Sequence, residues 1–171
     1  MQPPTPADPA GPGEPSRPAE PSGPAGRGDR AGRDDRARTV ARWVLGSALL
    51  VAGVGHLTAQ RQEFQAQVPA WFPADADLVV VVSGVVEVLL GAALILAGRR
   101  AAPVGVVVAG FFIVIFPGNI AQFVEHTSAF GLDTDAKRFV RLFFQPVLVV
   151  WALWSTGGWR WLRSRLSSRA A

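Results

Sequence analysis

Four apolar runs follow one another along this chain: Val40–Thr58, Leu78–Ala97, Pro103–Phe123 and Phe139–Gly157. About 20 residues rising 1.5 Å each cover the roughly 30 Å hydrocarbon core of a bilayer, so each run predicts a membrane-spanning helix. Their hydrophobicity lies all round rather than on one stripe, as it does where helices face lipid. Gly98–Ala102 leaves room only for a tight turn, which makes the second and third helices antiparallel neighbours. The connection from Ala59 to Asp77 is longer and contains Val68-Pro69-Ala70-Trp71-Phe72-Pro73. It reads equally as a short cap over the helices or as an ordinary loop with an aromatic interface anchor.

Composition changes the picture before residue 39. Residues 1–38 hold nine of the fourteen prolines and no Val, Ile, Leu, Phe or Trp. Such a stretch cannot bury enough surface to offset chain entropy. The expected organisation is a disordered Pro/Gly/Arg-rich tail (1–38), a four-helix membrane domain (39–158) and a basic C-terminal tail (159–171). The fold class is an all-α membrane protein, a four-transmembrane-helix bundle. A cleaved signal peptide competes for the first run, but its basic leader would be about forty residues long, against the usual layout.

The formal charge of +4 does not point to nucleic acid, because the arginines sit in the tail and at the ends of apolar runs, where topology accounts for them. Arg27, Arg30, Arg33, Arg36, Arg38, Arg42, Arg99, Arg100, Arg160, Arg163, Arg165 and Arg169 fall on one side. Arg61, Lys137, Arg138 and Arg141 fall on the other, among six carboxylates. The positive-inside rule then places both termini in the cytoplasm. Trp151, Trp154, Trp159 and Trp161 suit the inner interface. Heavy Ala, Gly, Val and Arg usage suggests a high-GC bacterial genome, hence a multi-pass protein of the bacterial plasma membrane. The absence of cysteine excludes thiol relays, disulfides, cysteine-ligated iron–sulfur clusters and cysteine zinc sites.

Candidate chemistry starts from Glu87, the only charge in LVVVVSGVVEVLLGAALILA. A carboxylate at mid-membrane is unfavourable by at least roughly 2.5 kcal/mol, so it has a partner or holds a proton. His56 lies near the outer end of the first helix, Asn119 follows Pro117-Gly118 in the third, and Gln145 precedes Pro146 in the fourth. Arg141, four residues before Gln145, shares its face. None of these falls in the inner half, so together they read as one polar pocket opening outward. Ser83, Gly84, Glu87 and Gly91 share one face of the second helix, and Ala52, Gly53 and His56 one face of the first. Small residues there permit close helix approach. The backbone carbonyls freed by Pro117 and Pro146 are expected to find partners in a cavity lining.

Each residue also has a plainer reading: Glu87 as a structural carboxyl, His56 bonded to a backbone carbonyl, Asn119 and Gln145 as interhelical glue, Arg141 as a snorkelling topology residue. Gln60, Gln62, Gln65 and Gln67 read as a solvated face. His126 reads as a loop residue; its pairing with His56 as haem axial ligands is the weakest reading.

Several ordered motifs carry a resemblance. Gly53-Val54-Gly55-His56, then Phe64 and Val68-Pro69-Ala70-Trp71-Phe72-Pro73, resemble the first helix and outer loop of DoxX-like membrane proteins. Ser83-Gly84-Val85-Val86-Glu87 with Leu90-Gly91 looks like that family's second helix. Phe116-Pro117-Gly118-Asn119-Ile120 is similar to its third, where Ala is commoner at 118. Arg141-Leu142-Phe143-Phe144-Gln145 is similar to its fourth, where Pro is commoner at 143. The resemblance spans about Ala41 to Trp154 and implies a four-helix inner-membrane protein, in a family named for subunits of quinone-linked sulfur oxidoreductases.

The function expected is that of an accessory or subunit of a redox or envelope-stress system, binding a quinone-like or lipid molecule among His56, Glu87, Asn119, Arg141 and Gln145. No stand-alone activity, metal or haem is expected. The partners implied are the bilayer and a redox-complex or other membrane protein. Two alternatives stand beside this: a small proton-coupled transporter, and a structural or assembly protein without ligand. Against transport, no inverted repeat is visible and no ionisable group lies in the inner half.

Overall fold

The computed structural model describes residues 25–168, with side chains from residue 32 onward. Among these residues all regular structure is helical: α1 (Ala25–Leu57), α2 (Arg61–Gln65), α3 (Ala76–Leu96), α4 (Ala101–Val124), α5 (Asp135–Thr156) and α6 (Gly158–Ser167), with a 3-10 turn at Gly98–Arg100 between α3 and α4. Four stretches are long and apolar enough to cross a membrane: Gly32–Leu57, Ala76–Leu96, Gly98–Val124 and Asp135–Thr156.

Local chemistry sets the boundaries. Asp75 caps α3 by accepting from the Leu78 amide, with Asp77 in the first turn, where acidic groups complement the helix dipole. Thr134 caps α5, and the left-handed Gly157 (φ 73°) ends it. Helix α1 begins directly after Pro24, the last proline of the N-terminal stretch. Helical backbone therefore covers residues 25–38 of the stretch expected to be disordered. With proline gone, alanines and arginines favour helix, and Asp34 stands four residues before Arg38. Residues 1–24 of that expected tail lie outside the described residues. The basic C-terminal segment, expected only as a tail, forms α6 as far as Ser167.

Helices α1 and α3 pack antiparallel along two glycine pairs. A Cβ on Gly53 would lie 2.6 Å from the Gly84 carbonyl oxygen, and one on Gly91 2.6 Å from that of Gly46. Within each helix the glycines are seven residues apart, so both fall on one face. Helices α4 and α5 form the second antiparallel pair, α5 also packs on α1, and α6 folds back on α4. Trp151 Nε1 donates to the Ala41 carbonyl at 3.0 Å, tying α5 to α1.

The two ends of the molecule differ. Near the termini the helices enclose an apolar core of Leu45, Leu49, Leu94, Val108, Ala109, Phe112 and Ala152. Toward the opposite end, which carries α2 and the 125–134 loop, polar side chains are buried as well: His56, Glu87, Asn119, Gln122, Arg138 and Gln145, beside Val80, Ala121 and Ala129. Outward faces are apolar, with Val51, Leu96 and Val114 among the most exposed.

Candidate functional site

A cavity of about 950 Å³ lies between the α1–α3 and α4–α5 pairs and reaches the loop end at Gln60, Phe64 and Phe130. All five residues singled out from sequence line it: His56 from α1, Glu87 from α3, Asn119 from α4, Arg141 and Gln145 from α5. Each helix delivers its polar group where small or interrupted backbone lets neighbours approach. Gly84 allows His56 to lie over α3, since a Cβ there would meet the His56 Cβ at 2.7 Å. Gly118 lets the Gln67 carbonyl approach α4, since a Cβ there would meet that oxygen at 2.7 Å.

The five residues form two pairs and a remainder. His56 Nδ1 lies 3.0 Å from Oε2 of Glu87 and also 3.0 Å from the Ala52 carbonyl oxygen. One Nδ1–H reaches only one of these acceptors. It is aimed at Ala52, and Oε2 of Glu87 is left buried without a hydrogen-bond partner among the described residues. An occupant of the cavity, or a proton held on the pair, completes the arrangement. Asn119 Nδ2 donates to Gln145 Oε1 at 2.9 Å, and Gln145 Nε2 donates to the Phe112 carbonyl at 2.6 Å. That carbonyl is one residue before Ile113, whose helical donor Pro117 removes. Arg141 pairs with none of the other four; its Nε is buried without a partner, and the guanidinium carbon lies 5.8 Å from the Phe130 ring centroid.

A roof of aromatic rings covers the polar pairs. Phe64 of α2 stacks on the His56 ring with centroids 3.4 Å apart, and Phe130 meets Phe64 edge-on at 4.6 Å. Phe130 has a left-handed backbone (φ 54°), and its amide donates to Oε2 of Glu63 at 2.6 Å. Helix α2 is tied to α3 through Arg61 and Gln65, which both donate to Asp77. The hydrogen bond to Asp77 raises the Arg61 pKa above its ordinary value. The 125–134 loop is held by Arg138, which donates to Thr127 O, Ser128 Oγ and Asp135 Oδ1.

Sequence reasoning missed Glu63, Phe130 and Arg138 in these roles. Only the Phe130-Gly131 step hinted at a turn. The glutamines are not simply a solvated face: Gln60 and Gln67 line the cavity and Gln65 bonds Asp77. Val68, Pro69, Trp71 and Phe72 also line it, while Trp71 stays largely exposed, so the proline-broken segment borders the cavity and keeps an aromatic residue outside. His126 is exposed, 2.7 Å from Asp135, and does not line the cavity. Among the described residues no three His, Cys, Asp or Glu side chains are grouped to hold a metal.

Toward the termini the walls are apolar apart from Ser47, with Leu45, Leu49, Ile115 and Leu148. Polar groups at one end of a largely apolar cavity of this size are what an amphipathic small molecule requires. The family model described as Domain of unknown function (DUF8561) matches residues 45–156, which cover the whole of this site. No curated protein and no solved structure matches the chain.

Proposed function

From a chain that belongs to the family described as Domain of unknown function (DUF8561), a description that assigns no activity, we propose a membrane-embedded binding protein. It holds a quinone-like or lipid molecule in the cavity between its two helix pairs. The observation that carries this reading is the gathering of His56, Glu87, Asn119, Arg141 and Gln145, one or two from each long helix, onto the wall of one cavity of about 950 Å³ with an apolar far end. Glu87 offers a carboxyl oxygen without a partner, Arg141 offers a buried Nε without one, and the Asn119–Gln145 pair fixes the wall between α4 and α5. The apolar residues take the tail of the ligand.

The chain works as an accessory or subunit of a redox or envelope-stress system of the bacterial plasma membrane, in the manner its resemblance to DoxX-like proteins implies. Both termini are cytoplasmic and the cavity opens outward. With no cysteine in the chain, electron transfer would need a bound cofactor such as a quinone and a partner protein. Proton-coupled transport is a weaker reading, because the core of Leu45, Leu49, Leu94 and Phe112 closes the end toward the termini.

The test is lipid extraction and mass spectrometry of detergent-purified protein, wild type beside Glu87→Gln. A quinone or lipid enriched with the wild type and depleted in the variant supports the proposal. Nothing enriched over the detergent blank sinks it.

A further inference from the structure

Arg141 stands apart from every other basic residue at the loop end. Arg61 pairs with Asp77, Lys137 with Asp133 and Arg138 with Asp135. Arg141 enters none of the ion pairs among the described residues, and its Nε is buried with no partner. The carboxyl on the cavity wall, Glu87, has His56 as its neighbour, at 3.0 Å, and forms no ion pair with Arg141. Arg141 is half-buried, and its guanidinium is always charged, so the part of it withdrawn from water favours an anionic partner. Its guanidinium carbon lies 5.8 Å from the Phe130 ring centroid, and the neutral amides of Gln60, Gln67, Asn119 and Gln145 share its cavity.

Two further features bear on what could match it. From Leu45 to His56 the cavity wall runs eleven residues along α1, about 16 Å, and it becomes apolar toward Leu45. A second groove of about 420 Å³, on the outside of α5, is lined by Leu132, Ala136, Val140 and Lys137, the last paired with Asp133, and shares Arg141 and Phe144 with the central cavity. A head group arriving along α5 from the lipid side therefore meets the same guanidinium that faces the interior.

We infer that the cavity takes an amphiphile with one acidic head, a carboxylate or phosphate monoester on an apolar chain, with Arg141 as its counter-ion. This rests on the proposed binding function and narrows its ligand class. The guanidinium fork matches either oxyanion with two parallel hydrogen bonds, whereas an uncharged ring head leaves the charge unmatched.

The test uses the full-length chain in nonionic detergent and measures binding of dodecanoate, dodecyl phosphate and dodecanol by calorimetry. Both acids should bind at least about tenfold tighter than the alcohol, the factor that about 1.4 kcal/mol supplies. Arg141→Gln should bring all three to similar affinity, and Arg141→Lys should keep a preference for the acids. Inorganic phosphate should not displace either acid; displacement would mark a site for free anions and overturn the inference. Equal binding of dodecanol by the wild type, or an acid preference that survives Arg141→Gln, would also overturn it while leaving the amphiphile-binding reading intact. Binding of none of the three would remove both. Should Arg141→Gln fail to fold, the wild-type ratio of acid to alcohol and the Arg141→Lys variant decide.

Discussion

His56 Nδ1 stands 3.0 Å from Oε2 of Glu87, joining α1 to α3 across the glycine contact of Gly53 with Gly84. The two side chains share one environment, so their removal is not additive. Each of His56→Ala and Glu87→Leu alone should destabilise the protein by about 1–3 kcal/mol, because the polar side chain left behind stays buried and loses its neighbour across the α1–α3 contact. The double variant should lose less than the sum, with a coupling of at least about 0.5 kcal/mol. Thermal unfolding in detergent measures the cycle, and strict additivity would show that the contact carries no energy.

The glycine faces give a sharper contrast. Gly53→Ala forces a methyl to within 2.6 Å of the Gly84 carbonyl oxygen, while a methyl at Gly110 meets nothing within 4 Å. Overpacking of that kind costs about 1–3 kcal/mol. Gly110→Ala should instead stabilise by about 0.5–1 kcal/mol through helix propensity. Melting curves that place the two variants together would refute the close approach.

Asn119 and Gln145 separate stability from binding. Gln145→Ala removes two hydrogen bonds and Asn119→Ala one. The glutamine variant should lose more, each bond being worth about 0.6 kcal/mol and at most about 1.7. Replacing both partners by apolar groups of like shape is close to neutral for folding. Asn119→Leu with Gln145→Met should thus melt near the wild type and yet co-purify less ligand. A double variant with wild-type ligand content would make the pair interhelical glue alone.

Phe130 should reverse the usual order of glycine and alanine. Its φ of 54° is disfavoured for a residue with a Cβ by roughly 1–2 kcal/mol. Both truncations lose the ring contact with Phe64, but only glycine relieves the backbone. Phe130→Gly should therefore melt above Phe130→Ala; the opposite order would place the 125–134 loop in another conformation.

The positions of the five polar residues were legible in the sequence for one physical reason. A bilayer penalises every unpaired polar group, so His56, Glu87, Asn119, Arg141 and Gln145 had few places to go but a shared interior. Which of them touch was not legible. Glu87 meets His56 rather than Arg141 because Gly46–Gly91 and Gly53–Gly84 set the offset of α1 against α3, and that offset is a property of two helices at once. The roof was hidden for a different reason. Glu63 and Phe130 are 67 residues apart and meet through a backbone amide, a contact that no periodicity announces. Arg138 counted only as a topology charge, yet three acceptors hold it inside the loop.

Orientation can be tested directly because the chain has no cysteine. Single cysteines at Ser128, in the loop at the cavity end, and at Ser164, in α6, lie at opposite ends of the helices. The arginine distribution predicts that Ser164 is cytoplasmic and Ser128 outside. In intact cells a membrane-impermeant maleimide should label Ser128→Cys and spare Ser164→Cys, and permeabilisation should expose the second site. The reverse pattern would turn the cavity toward the cytoplasm. It would also place Arg141 in the inner leaflet, where a ligand would have to arrive from inside the cell.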